Sequence, residues 1–275
     1  MPNWKKVGLL PLDEQIAVYG DYLKNHAKDH RIWFDLGLAH KRLRQWSACA
    51  DANLRALELS KKPGNPAWWN LGIAATALRN WSLARQAWRG YGLEIADGDE
   101  PIECNYGNTP VRLHEEEIVW GDRIDPARVI IRSVPFPESG YRWGDVVLHD
   151  GSPNGERHDG NRVVPVFDVL ERWSASEIPT LKAYVHCGAA EDSEALVDLF
   201  SDRHFAAEDW SANVRQLCKA CSEGLPDYHD HPQGVISTER TFGFAAPIGL
   251  ARELLEEWRA VSPLERSYED PVTYG

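Results

Sequence analysis

Trp33-Phe34-Asp35-Leu36-Gly37 returns as Trp68-Trp69-Asn70-Leu71-Gly72, with Trp, Leu and Gly in register at a spacing of 35. The same offset carries Trp46 onto Trp81 and the small Cys49 onto Ala84. Matches that share one offset are a repeat, and a repeat governs the reading of everything around it. Each copy predicts two helices. Trp33, Leu36, His40 and Leu43 recur at helical spacing, and Trp46, Ala50, Leu54 and Leu57 begin a second stripe. In the second copy the stripes are Trp68, Leu71, Ala75, Leu78 and then Trp81, Ala84, Trp88, Tyr91. Pro66 suits a first helical turn, where its missing N–H costs nothing. Lys61-Lys62-Pro63-Gly64-Asn65-Pro66 breaks the chain between copies. Gly37 and Gly72 each cost about 1 kcal/mol of helix propensity against Ala, so they are expected where two helices approach closely. Glu14–Ala27, with Ile16, Tyr19, Tyr22 and Leu23, predicts a preceding helix.

Trp33, Leu36 and Gly37, and again Trp68, Leu71 and Gly72, resemble the opening pattern of the tetratricopeptide repeat (TPR) family, whose unit is a helix–turn–helix of about 34 residues. The resemblance covers residues 30–93. His40 and Ala75 stand where the family has larger side chains, and Asn53 stands where it has an aromatic. The resemblance implies a groove lined by the first helix of each repeat. By position that face carries Arg31, Phe34, Leu38, Lys41 and Arg42, then Trp69, Ile73 and Thr76. The family's clamp for C-terminal carboxylates uses Lys and Asn where this chain has Phe34 and Leu38, so a chaperone-tail receptor is not expected. The competing reading is that Phe34 and Trp69 are covered by the chain's own packing.

Past Ala96 the texture changes. Asp97-Gly98-Asp99-Glu100-Pro101 reads as a linker, and the following apolar residues alternate at the strand period. Val111–Leu113, Ile118–Trp120, Val129–Val134, Val146–Leu148 and Val163–Phe167 predict short strands of a small barrel or sandwich. Asp150–Gly155 reads as punctuation between strands, and His158-Asp159-Gly160-Asn161 as a hairpin turn. From Pro179 the expected order is a strand at Leu181–His186, helices at Ser193–Asp202 and Ala207–Cys221, a strand at Thr238–Ala245 and a helix at Ile248–Val261. The acidic tail from Glu265 is expected to be loosely held. The fold class is therefore α+β. TPR-like helical repeats (1–96) precede a strand-rich region (97–178) and an α/β region (179–275), the last two being separate or one domain.

The net charge of −12 divides unevenly, as +6 over residues 1–95 and −18 over residues 96–275. Either the halves attract each other, or the acidic half meets a basic partner. Phosphate repels that half, so direct nucleic-acid binding is not expected. No run approaches the roughly 20 apolar residues of a membrane span. Residues 1–12 lack the apolar core of a secretory signal, and five cysteines do not resemble a disulfide framework, which together predict a cytoplasmic protein.

Cys218-x2-Cys221 followed by His229-x-His231 has thiolate and imidazole ligands spaced closely enough to reach one zinc ion. No second Cys pair supports it, and Cys221 also fits a helical core stripe with Leu217. His149 and Asp150, with Asp145 nearby, offer a base and an acid, although an Asp-Gly turn accounts for Asp150 without catalysis. Glu115-Glu116-Glu117 reads as an acidic edge or a solvated face. No phosphate loop, nucleophile elbow or His-Glu-x-x-His is present. The expected function is recognition of a protein partner through the repeat groove, the acidic second half, or both. One version is an immunity or antitoxin-type protein that neutralises a basic toxin. The alternative is a zinc-dependent enzyme or zinc-stabilised domain; a third is a small-molecule-binding barrel scaffolded by the repeats.

Overall fold

The computed structural model describes residues 2–60, 62, 64–113, 117–159, 162–211 and 238–274. The fold is α+β: helices come first and a strand-rich region follows. The chain divides into two compact units, Met1–Tyr106 with Ile124–Ala127, and Gly107–Arg123 with Arg128–Gly275.

The first unit holds α1 (Trp4–Val7), α2 (Leu12–Asn25), α3 (His30–Arg42), α4 (Trp46–Leu59), α5 (Pro66–Ala77) and α6 (Trp81–Tyr91). From α2 onward each helix packs on the next, and α3 also touches α5. The sequence repeat is a backbone repeat too. After α3, Arg44 N–H donates to Lys41 C=O (2.9 Å) and Gln45 N–H to His40 C=O (2.9 Å). After α5, Arg79 N–H donates to Thr76 C=O (3.1 Å) and Asn80 N–H to Ala75 C=O (2.9 Å), the same bonds one repeat on. Both turns are Schellman caps, and both put an arginine in the left-handed region, Arg44 at φ 56° and Arg79 at φ 57°. The repeat glycines are contact points. A Cβ on Gly37 would lie 2.4 Å from Asn53 Nδ2, and one on Gly72 would lie 2.4 Å from the Trp88 ring. Asn53 and Trp88 occupy the same repeat position, so the aromatic missing from the first copy is replaced by an amide on the same glycine. Asn53 Nδ2 in turn donates to Cys49 C=O at 2.8 Å. Residues 96–100 are pinned rather than loose, because Arg85 donates to the carbonyls of Ala96 (3.0 Å) and Glu100 (2.7 Å).

The second unit opens with a closed barrel of β1 (Asn108–Arg112), β2 (Ile118–Arg123), β3 (Arg128–Ile131), β4 (Val146–Asp159) and β5 (Arg162–Ser174). Neighbours pair antiparallel, and β1 closes on β5 in parallel. Val111, Val119, Val129, Ile131 and Val147 fill it. Asp150–Gly155 is not a break between strands, as expected above, but part of β4. The ladder with β5 continues through register shifts at Leu148/His149, His149/Pro153 and Pro153/Glu156. Residues that signal turns serve here as bulges, which bend one long hairpin instead of ending it. Asp159 pairs with Arg162, as a hairpin at this point requires.

A second sheet follows, with β6 (Thr180–Cys187), α7 (Ala190–Asp202), β7 (Ala206–Asp209), β8 (Glu239–Ala245), α8 (Ile248–Val261), β9 (Arg266–Tyr268) and β10 (Val272–Tyr274). Its order is β10-β6-β8-β7, the split β-α-β arrangement. One face is covered by both helices through Leu196, Phe200, Leu254, Leu255 and Trp258. Two expectations fail here. Ala206–Asp209 is strand rather than the start of a helix, because α7 ends in a Schellman cap at His204 and the chain then pairs with β8. The tail is not loose, since β9 and β10 both pair with β6, and Arg266 holds Asp192 (2.7 Å) and the Trp258 carbonyl (2.8 Å). Among the described residues no helix is long and apolar enough to cross a membrane.

Candidate functional site

The resemblance-derived face divides between surface and core. Arg31 and Arg42 are exposed, Phe34 and Leu38 are half-buried, and Lys41 and Ile73 are buried. Lys41 and Ile73 are therefore not offered at the surface. Trp69 is half-buried and stacks edge-on against Trp88 (5.1 Å) and Tyr91 (4.8 Å).

A cleft of about 500 Å³ opens where α3, α4 and the start of α5 meet, and it contains Arg31 and Phe34. Phe34, Ala56 and Pro66 give it an apolar floor, while His30, Arg31 and Lys62 stand around it. Leu38, Arg42 and Trp69 do not line it. Local chemistry sets its shape. Asp29 caps α3 by accepting from Arg31 N–H at 3.1 Å, and Asn65 caps α5 by accepting from Ala67 N–H at 3.1 Å, with Pro66 in the first turn. Asn65 Nδ2 also donates to Ser60 C=O at 3.1 Å, tying the inter-repeat loop to the end of α4. Asp35 shares the wall. Burial, and then the Asp29 carboxylate, raise its pKa, so it is the acid of this surface most easily neutralised. Lys62, Asn65 and Pro66 were not legible as cleft residues, because Lys61–Pro66 has the pattern of a helix breaker; the signal was the cationic pair Lys61-Lys62 within it.

The other sequence candidates separate in the same way. Cys218, Cys221, His229 and His231 lie outside the described residues. Among the described residues no group of three or more His, Cys, Asp or Glu is placed to hold a metal. Glu115 and Glu116 also lie outside them; Glu117 is no solvated edge but a buried acceptor of Phe136 N–H at 2.9 Å. Asp145 is buried and consumed by structure, accepting from Arg142 N–H (2.9 Å) and Ser176 N–H (2.7 Å) and pairing with Arg172 (2.8 Å). Burial, then the Arg123 cation, push the pKa of His149 down to about 3. Its Nδ1 lies 2.7 Å from its neighbour's carbonyl, that of Asp150, and its Nε2 is buried with no partner among the described residues. A histidine in that setting is neutral and sealed, which suits a barrel wall better than proton transfer.

Comparison with known proteins returned no matching family model, no matching curated protein and no matching solved structure.

Proposed function

We propose that this chain is a protein-binding protein whose helical segment, read as a TPR-type array, holds an extended segment of a partner chain. The occupant carries an apolar side chain that packs on Phe34 and carboxylates that face Arg31 and Lys62. The observation that carries this reading is the cleft of about 500 Å³, lined by the apolar Phe34, Ala56 and Pro66 and by the cations Arg31 and Lys62 against one carboxylate, Asp35. The 35-residue spacing and the duplicated turns support an array in which such clefts arise between copies. A displayed library of extended peptides, read by fluorescence anisotropy, tests it. The selected peptides are acidic with an apolar anchor, and Phe34→Ala or Arg31→Glu weakens them about tenfold or more, as truncation of a central contact does. Basic consensus peptides, or unchanged affinity in a folded Phe34→Ala protein, would defeat it.

The acidic half favours a second reading, an immunity or antitoxin-type protein that neutralises a basic toxin. Glu191, Glu194, Asp198 and Asp202 are exposed on α7, and none has an ion-pair partner among the described residues. A basic nuclease or similar toxin is then inhibited in proportion to added protein, and reversing Glu194 and Asp198 to Lys removes the inhibition. The spacing of Cys218, Cys221, His229 and His231 keeps the zinc alternative as a proposal. It requires about one zinc per chain by elemental analysis, lost in Cys218→Ser. We place the protein in a reducing cytoplasm. Cys49, Cys104 and Cys187 are free, and burial pushes the thiols of Cys49 and Cys187 up to about 12 and about 11, where they remain inert.

A further inference from the structure

The second unit contains a larger cleft that the helical array does not use. It encloses about 660 Å³ between the barrel and the split sheet, walled by Trp120, Trp143, Arg132, His204 and Phe205 and floored by β7. That volume is in the range of small-molecule sites. A bulge aims its charged group. The amides of Arg132 (2.9 Å) and Ser133 (3.1 Å) both donate to Trp120 C=O, while Ser133 Oγ accepts from Trp120 N–H at 3.1 Å. Two residues thus oppose one, and Arg132 is turned across the Trp143 ring, 5.6 Å from its centroid. On the facing wall His204 occupies the left-handed cap of α7 at φ 62°, a position where glycine is the cheaper choice.

The polar groups of the cleft separate cleanly by type. The carboxylates that line it are engaged, Glu208 accepting from Val134 N–H at 2.7 Å and Asp209 pairing with Arg240 at 2.6 Å, and Asp122, outside the lining, holds Arg132 Nε at 2.7 Å. The groups without a partner among the described residues are the Arg132 Nη atoms, the indole N–H groups of Trp120 and Trp143, the His204 imidazole and the Ser201 hydroxyl. Arginine and tryptophan can only donate, and serine and histidine each supply a donor as well. Unspent donors beside two indole faces call for a ligand with acceptor oxygens and a flat apolar body. Its charge is limited, because two carboxylates line the cleft, a third already holds Arg132, and residues 96–275 carry −18. We propose that this cleft binds a small ring-bearing monocarboxylic acid, with the carboxylate on Arg132 and the ring between Trp120, Trp143 and Phe205.

The test is ¹⁹F NMR of the full chain labelled with 5-fluorotryptophan, the two resonances being assigned from Trp120→Phe and Trp143→Phe. The probes are 2-naphthoate, its neutral amide, 2-naphthyl phosphate, and an acetylated tripeptide ending in Phe with a free carboxylate. The expected result is saturable movement of both resonances with 2-naphthoate, and binding about tenfold or more weaker for the amide, as loss of a charge-assisted hydrogen bond implies. Arg132→Gln and His204→Asn each weaken the acid selectively. Asn tolerates the left-handed backbone, and the remaining tryptophan signals report whether either variant is folded. Equal affinity for acid and amide, tighter binding of the phosphate, or no movement of either resonance overturns the proposal. Much tighter binding of the tripeptide overturns it in favour of a peptide C-terminus.

Discussion

At the scale of single residues, His149 and Arg44 make opposite statements about stability. The folded His149 takes up a proton only near pH 3, whereas a histidine in the unfolded chain does so near pH 6.5. Between those values the unfolded state binds more protons, so stability rises with pH and falls on acidification. The slope reaches about 1.4 kcal/mol per pH unit for one such group. His149→Leu is therefore expected to be less acid-sensitive than the parent, so that the stability gap between them, measured by urea unfolding at pH 7 and pH 4, shifts in the variant's favour at pH 4. A gap independent of pH would show that the acid sensitivity lies elsewhere. Arg44 holds a left-handed backbone with an exposed side chain. Arg44→Gly removes the Cβ conflict, and we expect a gain of about 0.5–1 kcal/mol. His204→Gly is expected to give a similar gain but to cost affinity for the naphthoate probe, which would separate backbone strain from side-chain use.

At the scale of elements, the repeat glycines are the sharpest test of packing. Gly72→Ala drives a methyl into a wholly buried indole, and we expect a loss of about 1–3 kcal/mol by thermal or urea unfolding, the range of an overpacked core. Gly37→Ala meets the Asn53 amide instead and should also be destabilising; both should spare the second unit's barrel fluorescence if the units keep separate cores. These glycines were legible in the sequence because a repeat prints its contacts twice. Helix periodicity likewise located α2 to α6 and α8 to within a few residues, and Pro66 stands in the first turn of α5 as its chemistry requires. Strands were legible only where pairing is regular. The bulges of β4 carry the same Gly, Pro and Asn as true turns, so a paired segment read as a break. Four residues of β7 and three each of β9 and β10 are too short for any period to declare itself, and only their partners β8 and β6 make them strands. The candidate cleft of the repeats was half legible, through Arg31 and Phe34. The second cleft was not, because Trp120, Arg132 and Trp143 come together with residues 197–209 only after the barrel closes and β7 pairs.

For the whole molecule, the proposed recognition of a partner can be assigned to one surface or the other through charge. The cationic rim of the repeat cleft and the carboxylates of α7 belong to segments of opposite sign, +6 over residues 1–95 and −18 over residues 96–275. Either surface would speed association with a partner of complementary charge and lose that advantage in salt, since screening acts beyond about 8 Å at physiological ionic strength. Salt dependence alone therefore cannot tell the two apart, but its response to charge reversal can. If the repeat cleft is the recognition surface, Arg31→Glu slows association by about tenfold at low salt and flattens the salt slope, while Glu194→Lys with Asp198→Lys changes neither. If the acidic helix is the surface, the two results exchange. Stopped-flow association across a salt series reads both variants against one captured partner. A rate indifferent to salt and to both reversals would mean that steering by charge plays no part, and the apolar floor around Phe34 would have to supply recognition without it.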